Sequence, residues 1–233
     1  MADDADLEQL EKWRAGDQRA GAALYRKYFA SVRSYFINRV PEAQEDLIQE
    51  TFLGLTKAKD QFRGDSTFKT YLFRIARYVY TGHLRKHCRP DREINPASDS
   101  IADLGQRRLS SVLVERENLR LLLDALRAVS LDDQDLLELY YFEGLSGEQL
   151  AELFTIPLGT VRSRIHAAKQ RLTKCYAALA NQPHDLEWTD DEFADWMAEV
   201  AQNVRRGQLR PQDADPPNTD PPNTDDEPPT ETD

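Results

Sequence analysis

Apolar residues recur at three- and four-residue spacing along most of the chain, and no alternating run of strand length interrupts them. Leu7, Leu10 and Trp13 predict a short first helix ending near Gly16; Leu24, Tyr28, Val32 and Phe36 predict a longer second one. After Pro41, the residues Leu47, Ile48, Thr51, Leu55 and Ala58 share one arc of a third helix. Asp46, Gln49, Glu50, Leu53 and Thr56 share the other, so a leucine stands among acids and an amide on a face open to water. In a fourth helix, with Ser66 or Thr67 at its cap, Phe68, Leu72, Ile75 and Val79 form the buried stripe. The opposite face is expected to carry Thr70, Phe73, Arg74, Arg77, Tyr80, Thr81, Leu84 and Arg85, with rings beside guanidinium groups.

Residues 91–113 lose this periodicity and gain Pro, Ser, Asp and Gly, so they read as a linker. Periodicity resumes at Leu119, Leu122, Leu123, Leu126 and Val129, and again at Leu136, Leu137, Tyr140 and Tyr141. Within 146–174, Ser146 and Gln149 have capping-box spacing and open a helix that Ile156 and Pro157 interrupt. The helix after the break buries Val161, Ile165, Ala168 and Leu172. Its outer face offers Gly159, Ser163, His166 and Gln170, flanked by Arg162, Arg164, Lys169 and Arg171, with no acid between Pro157 and Lys174. Two short helices around a tight turn, the second cationic, predict a helix-turn-helix with a recognition helix. Trp188, Phe193, Trp196, Met197, Val200 and Val204 mark one more amphipathic helix, after which DPPNT occurs twice in tandem and the chain reads as disordered.

The expected fold is therefore all-α, with two small helical domains joined by a flexible linker and followed by an acidic, partly disordered extension. The boundaries are 1–90, 91–115, 116–180 and 181–233.

Charge sharpens the picture. Residues 61–89 carry seven cations and one anion, Asp65, inside a chain of net charge −11. From His184 onward there are fifteen acids and three arginines, a net of −12, which leaves +1 for everything before. Cations neutralise phosphates and rings stack on unpaired bases, so the basic stretch points to nucleic acid. There is no P-loop, no glycine-rich dinucleotide loop and no nucleophile elbow, so no enzyme, cofactor or small-molecule substrate is expected. His83, His87 and Cys88 are close in sequence, but a second chelating pair is missing and no metal is expected. No stretch approaches the roughly 20 apolar residues of a membrane span. The N-terminus is acidic, unlike a signal peptide, and Cys88 and Cys175 fall in different halves, so a cytoplasmic chain without a structural disulfide is expected.

Three blocks, EDLIQETFLGL (45–55), FRGDSTFKTYLFRIARY (62–78) and FEGLSGEQLAELFTIPLGTVRSRIHAAKQRL (142–172), stand in this order after LYRKY (24–28). Together they resemble the sigma-70 family of RNA polymerase sigma factors, in its extracytoplasmic-function (ECF) group, over about residues 5–178. The resemblance implies a factor that binds core RNA polymerase and directs initiation at promoter DNA, with an anti-sigma factor as a further partner that the group allows. It implies that Asp46, Gln49, Glu50 and Leu53 dock on polymerase. It implies that the 62–67 loop and the helix after it handle the minus-ten element, through Arg63, Asp65, Ser66, Thr67, Lys69, Tyr71, Arg74, Arg77, Arg85 and Lys86. Thr160, Arg162, Ser163 and His166 would read the minus-thirty-five element, with Arg164, Lys169 and Arg171 on phosphates. Asp99 and Asp103, in the linker, become functional acids or mere parts of a tether.

Some positions depart from the family pattern. Tyr71 stands for tryptophan, Tyr78 and Gly82 for an asparagine and an aspartate, Thr155 for the turn glycine, and Gly147 for a bulkier residue. Gly82 suggests a bend or a close backbone approach. Two other functions remain open at this point: a stand-alone helix-turn-helix regulator and an adaptor that holds a regulatory partner. The extension is either a fold-back inhibitor or a solubilising tail whose helix completes the second domain.

Overall fold

The computed structural model describes residues 2–87, 94–103, 117–180 and 188–205. Among them the secondary structure is helical, with one isolated antiparallel bridge between Ser100 and Ser130. The first domain comprises α1 (Ala2–Arg14), α2 (Gln18–Ile37), α3 (Gln44–Ala58) and α4 (Phe68–His87), with a 3-10 turn at Lys59–Gln61. The second comprises α5 (Glu117–Ala128), α6 (Leu131–Leu137), a π-helical turn at Glu138–Phe142, α7 (Gly147–Phe154) and α8 (Leu158–Leu179). The extension supplies α9 (Asp190–Arg205). Arg89, Cys88 and the DPPNT repeats lie outside the described residues.

Local chemistry sets the first turns. Gly16, at φ +104°, lets the chain reverse between α1 and α2, and the Asp17 carboxylate caps α2 by accepting from the Arg19 N–H at 2.8 Å. Trp13 then lies so close over α2 that a Cβ on Gly21 would stand 2.6 Å from the indole. Ser146 and Gln149 form both halves of the expected capping box on α7. Thr155 ends α7 in the left-handed region, at φ 56° and ψ 47°, a conformation costly for a β-branched residue. The small Gly147 is explained by α8: Leu158 Cδ1 fills the space that a larger side chain would take, 2.9 Å from the would-be Cβ.

The helix α4 corrects one expectation. Phe73, Tyr80 and Leu84, read as outward-facing, are buried along with Phe68, Leu72, Ala76 and Val79. The helix is covered on two sides: α3 packs on one, and Tyr35 of α2 meets the rings of Phe73 and Tyr80 at 5.8 and 6.2 Å on another. An amphipathic stripe in the sequence identifies one buried face but not a second neighbour. Ile75 is only half-buried, and its Cγ2 stands 3.0 Å from where a Cβ of Gly54 would be. Gly82 marks neither a bend nor a close approach, because α4 runs unbroken past it and a Cβ there would meet nothing within 4 Å.

Within the segment read as linker, residues 94–103 lie against the second domain. Ile94 and Ile101 are buried, and backbone N–H groups of Leu131 and Asp132 donate to the carbonyls of Asp99 and Pro96, both at 2.9 Å. The Asp99 carboxylate accepts from the Asn95 N–H, and the Asp103 carboxylate accepts from the Ser100 hydroxyl at 2.6 Å, so both acids tie turns locally.

The two domains are packed together through polar groups. Arg39, at the end of α2, is buried with its guanidinium 2.9 Å from the Asp135 carboxylate, paired with Glu138, and stacked 3.9 Å over the Tyr35 ring. Tyr35 donates to Asp135 at 2.8 Å, and Arg127 of α5 donates to the Asn38 carbonyl. Burial works against the Arg39 charge, yet Glu138 and Asp135 hold it charged and raise its pKa. Burial also lifts the Glu138 carboxyl above its ordinary value, against the pull of Arg39 and of the Gln134 amide.

Two stability predictions arise from this architecture. Replacing Arg39 with alanine leaves Asp135 and Glu138 hidden without their cation and should cost about 3–5 kcal/mol in urea unfolding. Thr155→Gly removes the left-handed strain at the end of α7 and should raise stability by about 1 kcal/mol, read as a higher melting temperature.

Candidate nucleic-acid interface

The acidic face of α3 forms as its periodicity requires. Leu47, Ile48, Thr51, Phe52 and Leu55 turn inward, which leaves Asp46, Gln49, Glu50 and Leu53 exposed, with Leu53 59% accessible. The structure adds two residues that the sequence reading passed over. Tyr25 and Phe29 on α2 are exposed at i and i+4, with ring centres 5.5 Å apart, and Tyr25 lies 4.4 Å from Phe52. The signal was present in LYRKYF, where aromatics alternate between a buried Tyr28 and outward neighbours. Acids, an amide and apolar groups together make a surface suited to a protein partner rather than to phosphate.

The loop before α4 is braced from outside. The Arg14 guanidinium donates to the carbonyls of Lys59 and Phe62, both at 2.5 Å, and the Tyr71 hydroxyl donates to the Ala58 carbonyl at 2.9 Å. The Tyr71 ring packs on Phe62 at 4.8 Å, so it is a prop for the loop instead of a free stacking surface. Arg63, Gly64 and Asp65 project into solvent, with Gly64 at φ +79° making the turn. Ser66 is half-exposed, and the Thr67 hydroxyl caps α4 by accepting from the Thr70 N–H at 3.1 Å.

On α4 the candidate cations divide into two groups. Lys69, Arg74 and Arg77 each hold carboxylates of the second domain: Glu143 at 3.1 Å, Glu152 at 3.0 Å, and Asp132 and Asp135 at 2.5 and 2.9 Å. Burial opposes the Arg77 charge, but Asp135 and Asp132 outweigh it and raise its pKa. Arg77 also stands 5.0 Å over the Phe154 ring, and the Gln149 amide donates to Thr67 at 3.2 Å. Arg85 and Lys86, more than two turns further on, remain exposed. Near them Tyr78 is 77% accessible, the outward ring that Phe73 and Tyr80 were expected to supply. His83 is half-buried, stacks on His87 at 4.6 Å, and is held below its usual pKa by burial and by that neighbour.

The recognition helix α8 presents Arg162, Ser163, Arg164 and His166 to solvent, with Thr160 half-exposed in its first turn. The Ser163 hydroxyl donates to the Thr160 carbonyl, and His166 shares a hydrogen bond of 3.1 Å with Gln170. The two cations read as phosphate holders further along have internal partners. Arg171 grips Asp133 with two nitrogens, at 2.6 and 2.7 Å, and Lys169 pairs with Asp190 of α9 at 2.6 Å. Arg171 stays exposed, but Lys169, read as outward-facing, is largely covered with its side chain 13% accessible; their partners lie 38 and 21 residues away in the chain.

Comparison with known proteins identifies both helical modules. The family model described as Sigma-70 region 2 matches residues 22–89, and that described as Sigma-70, region 4 matches residues 119–172. The RNA polymerase sigma-H factor of Pseudomonas aeruginosa is 33% identical over 192 residues, 78% of this chain and 99% of that protein. The ECF RNA polymerase sigma-E factor of Haemophilus influenzae is 30% identical over 175 residues, 72% of this chain and 93% of that one. Among solved structures, CnrH in complex with the cytosolic domain of CnrY has a TM-score of 0.52 at 22% identity, over 76% of this chain and 97% of that one. The sigma factor RpoE of Bartonella quintana, in complex with the anti-sigma factor NepR, matches at the same TM-score and identity over 69% and 96%. With both regions present in order and a relative matched over nearly its whole length, the chain belongs to the sigma-70 family of RNA polymerase sigma factors, in its ECF group.

Proposed function

We infer that this protein binds core RNA polymerase and directs promoter-specific initiation of transcription. The observation that carries the reading is the pairing in one chain of two helical modules with different outer faces. One offers an acidic and apolar face on α3 beside a cationic α4, and the other an acid-free recognition helix. A stand-alone helix-turn-helix regulator would have no use for the first module, and relatives aligned over both modules are sigma factors.

In this reading Asp46, Gln49, Glu50 and Leu53 dock on polymerase, with Tyr25 and Phe29 extending the apolar part of that contact. Arg63, Asp65, Ser66 and Thr67 meet the minus-ten element, with Lys69, Arg74, Arg77, Arg85 and Lys86 along the strand. Tyr71 acts there indirectly, by bracing the loop. Thr160, Arg162, Ser163 and His166 lie in the minus-thirty-five major groove, where an arginine pairs best with guanine, and Arg164 holds phosphate. The protein performs no chemistry of its own and works in the cytoplasm beside polymerase. An anti-sigma partner, as in the Bartonella complex, is a natural regulator for it.

The same reading requires the domains to part. Promoter elements named minus ten and minus thirty-five lie about 85 Å apart at roughly 3.4 Å per base pair. A compact chain of this size has a radius of gyration of about 17 Å. Lys69, Arg74 and Arg77 cannot hold phosphates and the second domain's carboxylates together.

Transcription of fragmented host DNA by sigma-free core polymerase should give discrete new transcripts when this protein is added; none from a folded protein, even when bound to core, would refute the reading. Leu53→Asp should abolish those transcripts and weaken capture of core polymerase, while leaving the helical melting curve unchanged. On a promoter identified this way, Arg162→Ala should cost about 1–3 kcal/mol and relax the preference for one base pair, measured by competition between cognate and scrambled sites.

A further inference from the structure

The extension helix α9 lies beyond both matched family regions, yet it is built as an integral part of the closed molecule. Its start is capped by Thr189, whose hydroxyl and N–H both donate to Glu192, at 2.8 and 2.9 Å. Phe193, Met197, Val200, Ala201 and Val204 form one stripe, and all are buried. Trp188 and Trp196 stack at 4.6 Å, and Trp196 stands edge-on to Tyr176 of α8 at 4.8 Å; Phe193 meets Tyr141 at 5.2 Å.

Those contacts alone would make α9 a cover for the second domain. It also packs against α2 of the first domain, so its apolar stripe spans the junction. Its two polar ends reach residues that matter for DNA. At the start, Asp190 takes Lys169 of the recognition helix, whose ammonium also stands 5.1 Å over the Phe193 ring. At the end, Arg205 donates to the Phe142 carbonyl and pairs with Glu143 at 3.1 Å. The other oxygen of Glu143 holds Lys69 of α4, also at 3.1 Å. One buried carboxylate therefore joins the end of α9 to the first cation of the minus-ten helix.

The interface that α9 spans is poorly suited to stay shut by itself. It hides the Arg39 cluster and leaves both polar atoms of the Asn38 side chain and the Gln134 carbonyl oxygen buried without hydrogen bonds. Desolvated charges and unpaired polar atoms weigh against closure, so an apolar element bridging the seam supplies what the seam lacks.

We propose that α9 is an intramolecular clasp: docked across both domains, it holds the closed arrangement in which Lys69, Arg74 and Arg77 are occupied by second-domain carboxylates, and its release frees them for DNA. The interaction surface is made by α2, the π-helical turn and α8, and its occupant is this chain's own C-terminal helix. The part concerning DNA rests on the promoter-binding reading above; the clasp itself does not.

The test uses the full chain carrying a donor and an acceptor dye on cysteines placed at the exposed Lys57 and Lys174, with Cys88 and Cys175 changed to serine. Met197→Asp undocks α9 while keeping the acidic tail, and emission of Trp188 and Trp196 shifts to the red as they meet water. Energy transfer between the domains should then fall. Affinity for a duplex of unrelated sequence at low salt should rise about tenfold, with the log–log salt slope steeper by about 3 for three freed cations. Should Met197→Asp cost the second domain its cooperative melting, the double reversal Asp190→Lys with Arg205→Glu decides, since it leaves the apolar stripe intact. Unchanged transfer in a folded variant overturns the clasp and leaves α9 as a cover for the second domain. A fall in transfer with unaltered duplex affinity upholds the clasp and counts instead against Lys69, Arg74 and Arg77 as DNA contacts.

Discussion

The buried guanidinium of Arg39 is the constraint around which the closed molecule is arranged. A charge this deep must be met by carboxylates, and the first domain puts beside it the Tyr35 carbonyl and the rings of Tyr35 and Tyr80. Its anions, Asp135 and Glu138, come from the second domain, so the most buried ion pairs among the described residues exist only while the domains touch. Asp135 serves three groups from the first domain at once: Arg39, Arg77 and the Tyr35 hydroxyl. Hiding such charges is expensive, and the attraction between them only offsets that expense when every partner is in place. An interface of this kind specifies one docked geometry and gives little surplus stability, which suits the separation of domains that the proposed function requires.

Charge distribution makes the same point from another side. The chain up to residue 183 is nearly neutral overall, but the balance is struck across space: cations on α4 face carboxylates on α6, on α7 and at Glu143, just after the π-helical turn. In the proposed reading, each carboxylate stands where a phosphate would be held in a DNA complex. In that reading, the domains are complementary to one another for the reason that one of them is complementary to nucleic acid. Competition between an internal anion and an external one is then governed by salt and by whatever holds the internal anion in place.

The helical periods named the recognition helix, the capping box of α7, the exposed face of α3 and the extension helix because each depends on residues within a turn or two of one another. Thr155 and Gly147, noted as departures from the family pattern, have local accounts: a left-handed C-cap carried without glycine, and a space filled by Leu158. Where a side chain's fate depends on a distant element, the local pattern misleads. Phe73 and Tyr80 have the spacing of an exposed stacking face, and Tyr35 of α2 buries them. Tyr71 has the look of a base contact and instead supports the loop through the Ala58 carbonyl.

What the sequence by itself determined was the set of helices, their order, the two-module organisation and the cationic character of α4 and α8, since composition and short-range periodicity contain that information. Only the tertiary structure decided which of those cations meet carboxylates from other elements. Lys69, Arg74, Arg77, Lys169 and Arg171 do, whereas Arg162, Arg164, Arg85 and Lys86 stand exposed. The physical reason is range: a helix period is set by neighbours three and four residues away, whereas an ion pair is set by whichever charge the fold brings within about 4 Å, however distant in the chain.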